Sequence, residues 1–390
     1  MARLLGLLLL AATLRAEEPE EFTCSVALSV WSYDEIGIPS FLEVRAKEPF
    51  ALPPDVHAWI APPHREIGDQ WLQSLAADPF AQRIHRLRLL GCRGLSDPVF
   101  GMLERFPELR ALDLNSVESS AARIAHLGKL PVLEHLRVVL PNARKTEYLR
   151  GRVSTPRNQA LARLASLNRL KTLELGWGPF RASEMEQVAT MLGLQALSTV
   201  VDGDAKSLGA LAPLQQLESL DLTSSQLRDA DLSALPVLPK LRRLVLARTS
   251  ITGPGLGHLK RQPRLEELDV TFCRGLEDAA LKEIAALRQL RRVRVTDTII
   301  NFCGTTGVIF GPEGPPSRLT GQGLAHFADA THLRNLQLVG LDIRDPDLAS
   351  MHGLVDLEHL DLSWCMKLTE LGVERLRAAL PACRVDWRIK

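Results

Sequence analysis

The sequence predicts an α/β solenoid of about 11–12 strand–helix repeats, with a concave parallel β-sheet and convex helices. Three observations predict it. A hydrophobic template, Leu-x-x-Leu-x-Leu, recurs along most of the chain at nearly constant spacing. A stretch with apolar residues at helical spacing follows each copy. Leucine itself supplies 71 of the 390 residues and is spread through the chain rather than pooled in one segment. Self-similarity at such a period is the signature of a stacked repeat.

The template begins at Ile84, Leu109, Leu133, Leu170, Leu194, Leu217, Leu241, Leu265, Leu290, Leu333 and Leu357. A degenerate copy from Ala382 to Trp387 closes the series. Eight of the ten intervals between full copies are 23–25 residues long. Leu-x-Leu has the period of a strand, so both leucines point to one face. The helical part is clearest at Asp278–Leu287, where Leu281, Ile284 and Leu287 form one stripe. Ser96-Asp97, Asp229, Thr252 and Asp345 stand at helix starts, where such residues cap free amides. One strand and one helix cannot bury a core alone, and stacking supplies the missing surface.

These residues resemble the leucine-rich-repeat family, in its ribonuclease-inhibitor-like and cysteine-containing classes, over residues 84–390. The resemblance implies a horseshoe-shaped solenoid and is nearly silent about the ligand. The ending from Leu380 to Trp387 is similar to the way many bacterial repeat proteins of this kind finish, which implies a bacterial source. Cys92, Cys273 and Cys365 each sit eight residues after the first template position, with Leu95, Leu276 and Leu368 three residues further on. In the family that position faces inward and satisfies backbone groups in the turn leaving the strand, so the resemblance implies buried, inert thiols. At a rung spacing of ~4.8 Å they lie too far apart to pair. Whether Cys24 and Cys303 form a disulfide stays open.

The N-terminus reads as an address. Met1-Ala2-Arg3 precedes an apolar run from Leu4 to Ala12, and Leu14-Arg15-Ala16 precedes Glu17-Glu18-Pro19-Glu20-Glu21. That order is a secretory signal over residues 1–16, and the run is too short to span a bilayer. The protein is therefore expected in the periplasm or outside the cell, without a transmembrane segment once the signal is removed. An uncleaved apolar N-terminus would leave it in the cytoplasm. Removing residues 1–16 moves the formal charge from +1 to −1, which gives no global reason to bind nucleic acid or an anionic membrane.

Three regions depart from the repeat. Residues 17–82 carry no template but hold eight of the chain's 19 aromatics, with a helix expected from Asp69 to Ala77 and Trp71, Leu72 and Leu75 on its buried side. They read as a cap over the first rung, or as a small module of their own. Two long intervals place insertions within 141–158 and 301–318, both just after a strand. In the first, Arg144, Lys145, Arg150, Arg152 and Arg157 outweigh Glu147 by four charges; the second is rich in Gly and Pro. Loops of this length are tolerated decoration or functional.

In this repeat the third, fifth and seventh template positions face the concave side. Arg243, Glu267 and Arg292 fill the third column on consecutive rungs, and Asp269 and Arg294 stand in the fifth. Opposite charges there can pair along the sheet or meet a partner. Trp177, Phe272 and Trp364 occupy the eighth position at the concave margin, where aromatics suit an interface. These eight residues are the candidate partner-binding set, and charge reversal at Arg292 and Arg294 is expected to weaken binding without loss of stability. No phosphate loop, nucleophile elbow, zinc-binding His-Glu-x-x-His or Cys-x-x-Cys occurs. His57, His64 and Glu66 are separated by prolines, so no metal site is expected, and no catalytic residue or cofactor is assigned. His135 and His359 fall in the third column with no matching acid in the same register. The reading is a non-enzymatic, exported repeat protein that binds another protein through its concave face and edge insertions. The alternative is glycan or polyanion binding through residues 144–157.

Overall fold

The computed structural model describes residues 21–33, 39–45, 50–51, 59–92, 94–140, 157–176, 178–273, 275–296 and 318–388. The signal segment and nearly all of both insertions lie outside these residues. The chain divides into two compact units between Val139 and Leu140.

In the first unit, β1 (Glu21–Phe22) pairs antiparallel with β4 (Phe50–Ala51). Strand β2 (Leu28–Tyr33) lies antiparallel to both β3 (Pro39–Val44) and β5 (Trp59–Ala61). Strand β5 then runs parallel to β6 (Arg86–Arg88), followed by β7 (Ala111–Glu118) and β8 (His135–Val139). The register carries Ile60 onto Leu87, Leu112 and Leu136. Residues 59–61 thus supply a strand with Ile60 buried where a repeat leucine would stand. The helix Asp69–Ala77 forms as expected, with Leu72 and Leu75 fully buried. The Trp71 indole donates to the Ala27 carbonyl at 2.9 Å, which ties the helix to the segment before β2.

Among its described residues the second unit holds nine parallel strands in chain order: β9 (Thr172–Gly176), β10 (Ala196–Ser198), β11 (Ser219–Asp221), β12 (Arg243–Val245), β13 (Glu267–Asp269), β14 (Arg292–Thr296), β15 (Asn335–Val339), β16 (His359–Asp361) and β17 (Arg384–Asp386). One column of apolar side chains runs through them: Leu173, Leu197, Leu220, Leu244, Leu268, Val293, Leu336, Leu360 and Val385. All nine are buried. Every template copy found in the sequence forms a strand.

Some connecting segments are α-helical and others take the narrower 3-10 form. Pro254–Arg261 and Gly321–Phe327 take the 3-10 form, and both are glycine-rich. At Gly255 a β-carbon would come within 2.5 Å of the Asp229 backbone, so glycine lets two rungs approach closely.

The helix starts do more than the single-repeat reading allowed. Asp97, Asp229 and Asp345 are not caps of their own helices; each is a first helical residue, and its carboxylate reaches the rung that follows. Asp345 accepts from the Thr369 amide at 2.9 Å and its hydroxyl at 2.5 Å. Asp278 does the same with Thr320, and Asp69 with Ser96. Ser120 donates its hydroxyl to Asp97. Asp229 accepts from the Thr252 hydroxyl and from the amides of Thr252, Gly253 and Gly255. The result is a row of clamps, each joining one rung to the next at the start of the convex segment.

The repeat cysteines are buried as the family resemblance implies. The Cys273 thiol donates to the Leu246 carbonyl at 3.0 Å and the Cys365 thiol to the Leu338 carbonyl at 3.1 Å, each carbonyl on the preceding rung. Thr249, in the same register, donates to Leu246 within its own rung at 2.7 Å. Burial pushes Cys92 and Cys365 up to about 11 and raises Cys273 as well. Cys24 is also buried, and Cys303 lies outside the described residues.

Burial raises the Asp229 carboxyl, but the hydrogen bonds from Thr252, Gly253 and Gly255 outweigh it and leave the group below the ordinary carboxylate range. Its contribution is therefore present above the unfolded value near 4 and lost as pH falls through the folded one. Asp229→Asn should cost roughly 1.5–3 kcal/mol at pH 7, and progressively less as pH falls below about 4, in urea unfolding; a loss independent of pH would contradict the clamp. Cys92, Cys273 and Cys365 should resist iodoacetamide at pH 8 in the native chain and label after unfolding, as read by peptide mass mapping.

Candidate binding surface on the concave sheet

Strand alternation turns the fourth and sixth template residues into the core and leaves the third, fifth and seventh on the open face. In the second unit this sorts charge onto the concave side of β12, β13 and β14. Arg243 lies 3.3 Å from one Glu267 oxygen, and the Arg292 Nε lies 3.2 Å from the other. One carboxylate therefore bridges two guanidiniums on its flanking rungs. In the next column Arg294 reaches Asp269 at 3.1 Å and donates through Nε to Gln337 at 2.7 Å.

The two signs are not equally presented. The Arg243, Arg292 and Arg294 side chains are 46, 54 and 44% exposed, whereas Glu267 and Asp269 are 17 and 8% exposed. Asp269 also has a structural duty, since its other oxygen accepts the Thr271 amide at 2.9 Å. Asp113, Asp221 and Asp361 hold the amides of Asn115, Thr223 and Ser363 in the same way at 2.9 Å. A fifth-position aspartate closes the turn that ends its strand. Of the sequence candidates, Asp269 is thus part of the scaffold beneath the arginines.

The eighth position follows that turn in a left-handed conformation. Ser224, Arg248, Phe272 and Trp364 have φ near +60°, and glycine fills the position at Gly91 and Gly340. In each case the amide donates to a carbonyl on the next rung, as Phe272 does to Thr296 at 2.8 Å. The turn throws the side chain to the margin of the sheet. There the Arg248 guanidinium lies over the Phe272 ring at 5.2 Å, a cation–π contact that sequence reading did not find. Trp364 is half-buried at the same register, and Trp177 lies outside the described residues.

Other expectations change. His359 does have an acid: its Nε2 lies 2.9 Å from Asp386, and Asn335 lies 3.2 Å from its Nδ1. That contact runs diagonally, from the third column of one rung to the fifth of the next, so matching within one column missed it. The His359 hydrogen bond, followed by those from Arg384, holds the Asp386 carboxyl below the usual range. Arg157 and Arg318 belong to the repeat rather than to the insertions. Arg157 opens the helix Arg157–Leu164, is buried against the Phe180 ring and donates to the Pro179 carbonyl at 2.9 Å. Arg318 pairs with Glu277 at 2.9 Å. In the first unit, Arg86 and Arg88 lie over the Trp59 ring at 5.7 and 5.0 Å. Asp113 sits 3.4 Å from Arg88 and 3.8 Å from Arg137. Among the described residues no cluster of three or more His, Cys, Asp or Glu could hold a metal, and no helix is long and apolar enough to cross a membrane.

Comparison with known proteins finds no matching family model. Among solved structures, a chain of the Rad7 and Elc1 complex of yeast is similar at a TM-score of 0.52 and 16% identity, over 82% of this chain and 78% of that one. An internalin of Listeria monocytogenes gives 0.49 at 18% identity, over 85% and 86% of the two chains. A leucine-rich-repeat protein of Leptospira interrogans gives 0.41 at 15% identity, over 83% and 82%. The fold is that of a leucine-rich-repeat protein: an α/β solenoid.

The ladder changes what a charge reversal should do. Arg294→Glu sets a carboxylate against the nearly buried Asp269, and should cost about 2–3 kcal/mol of stability. Arg292→Gln leaves Glu267 paired with Arg243, and should stay within about 0.5 kcal/mol of the parent. Calorimetric melting of the two variants separates them; equal melting temperatures would mean that Asp269 does not depend on Arg294.

Proposed function

We propose that this chain is an exported, non-enzymatic protein-binding module that docks a partner on the concave sheet of its second unit. The observation that carries the reading is the arginine set on β12–β14. Exposed guanidiniums are held in place by carboxylates below them, beside an Arg248–Phe272 pair at the margin. Cations fixed before the partner arrives lose little side-chain freedom on binding. Arginine and aromatic residues are also those that dominate interface energetics. That a chain of similar fold forms part of the two-protein Rad7–Elc1 complex agrees with this use of the scaffold. Export rests on the segment 1–16. The polyanion reading of residues 144–157 is weaker than the sequence suggested, because Arg157 is buried and engaged.

The test is affinity capture from envelope and secreted fractions of the source organism, with the chain from Glu17 as bait. The parent bait runs beside the Arg243→Gln, Arg292→Gln double variant. A protein retained at least about tenfold more strongly by the parent, equivalent to about 1.4 kcal/mol, supports docking on this face. Equal retention by both baits removes the concave site.

A further inference from the structure

We propose that the partner meets this surface with an acidic protein segment, whose carboxylates take the guanidinium donors left free on β12–β14. The inference rests on the docking reading above and specifies its chemistry. Four arginines, Arg243 and Arg248 on the rung of β12 and Arg292 and Arg294 on that of β14, flank the two carboxylates of β13, Glu267 and Asp269. The carboxylates lie underneath and the arginines are about half exposed, so an incoming surface meets positive charge.

The donors are not exhausted by the ladder. A guanidinium has five N–H groups in a planar fork matched to a carboxylate. Arg292 engages Glu267 through Nε, which leaves both terminal amino groups available to a ligand. Arg248 has no ion pair among the described residues, and its ring contact with Phe272 fixes the charge at the margin of the sheet. The neighbouring rungs end the basic stripe. Ser219 and Asp221 stand on β11, and Asn335 and Gln337 on β15. Three rungs span ~10 Å between the outer strands, room for two or three carboxylates of an extended segment. Arginine forks bind protein carboxylates and phosphates alike, but the Phe272 ring beside Arg248 offers apolar contact that a bare polyphosphate would not use.

The experiment is fluorescence anisotropy on the full chain with a labelled dodecapeptide of alternating Glu and Ser. The Gln-for-Glu peptide and inorganic polyphosphate of equal charge serve as comparison probes. The Glu peptide should bind at 50 mM NaCl and weaken steeply with added salt. Arg248→Gln, which touches no carboxylate of the ladder, should weaken it at least about fivefold, and the Arg243→Gln, Arg292→Gln pair more than about tenfold. Arg169→Gln, an exposed site before β9, should leave it unchanged. Circular dichroism melts confirm that each variant folds. The proposal is overturned by a Glu peptide that binds no better than its Gln counterpart, by binding indifferent to these arginines, or by polyphosphate binding alone. Used as a competitor in the capture experiment, the Glu peptide separates the two readings. A partner that depends on Arg243 and Arg292 but is not displaced leaves the docking face standing and rejects the acidic segment.

Discussion

No repeat in this molecule can bury its own leucines, and each therefore depends on the rung beside it. A strand and the turn that leaves it offer about two leucine positions, such as Leu244 and Leu246, and the helical segment behind adds a few more. Only stacking removes that surface from water, at about 25 cal/mol per Å². Within each unit this requirement fixes the register, because a one-residue slip would turn the whole leucine column to the open face. The open face inherits its geometry from the same constraint. Arg243, Glu267 and Arg292 form a ladder because Leu244, Leu268 and Val293 must align beneath them.

Polar groups then secure what the leucines align, and they do so at three places on the rung. Asp229, Asp278 and Asp345 join rungs at the helix starts. Cys273 and Cys365 tie the turn leaving the strand to the carbonyl of the rung before. Asp113, Asp221, Asp269 and Asp361 close the turn that precedes it. Many charges that look like surface decoration in the sequence are therefore engaged in building the scaffold. On β12–β14 and at their margin the arginines outnumber the carboxylates and are the more exposed of the two, and the proposed function rests on that local excess.

The strands and their order were legible because the Leu-x-x-Leu-x-Leu period carries the strongest signal a soluble sequence can offer. The helix Asp69–Ala77 was legible from its own apolar stripe. Strand β5 was not, because Trp59-Ile60-Ala61 is too short to show a period and carries no copy of the leucine template. The fifth-position aspartates showed as a column but not as turn acceptors, since that role depends on the backbone curling back two residues later. Pairings along one column, such as Arg243 with Glu267, could be anticipated from register. The diagonal contact of His359 with Asp386 and the contacts of Arg157 with Pro179 and Phe180 needed the third dimension.

The left-handed eighth residue has an evolutionary consequence. An L-residue in that conformation carries an intrinsic penalty of roughly 1–2 kcal/mol that glycine escapes, and Gly91 and Gly340 show that the turn accepts glycine. Selection for folding alone would favour glycine at every such turn. Ser224, Arg248, Phe272 and Trp364 run against that pressure. Their side chains stand outside both the leucine column and the charge ladder. The margin of the sheet thus becomes the place where a lineage of such proteins can change what it recognises while keeping the same spine.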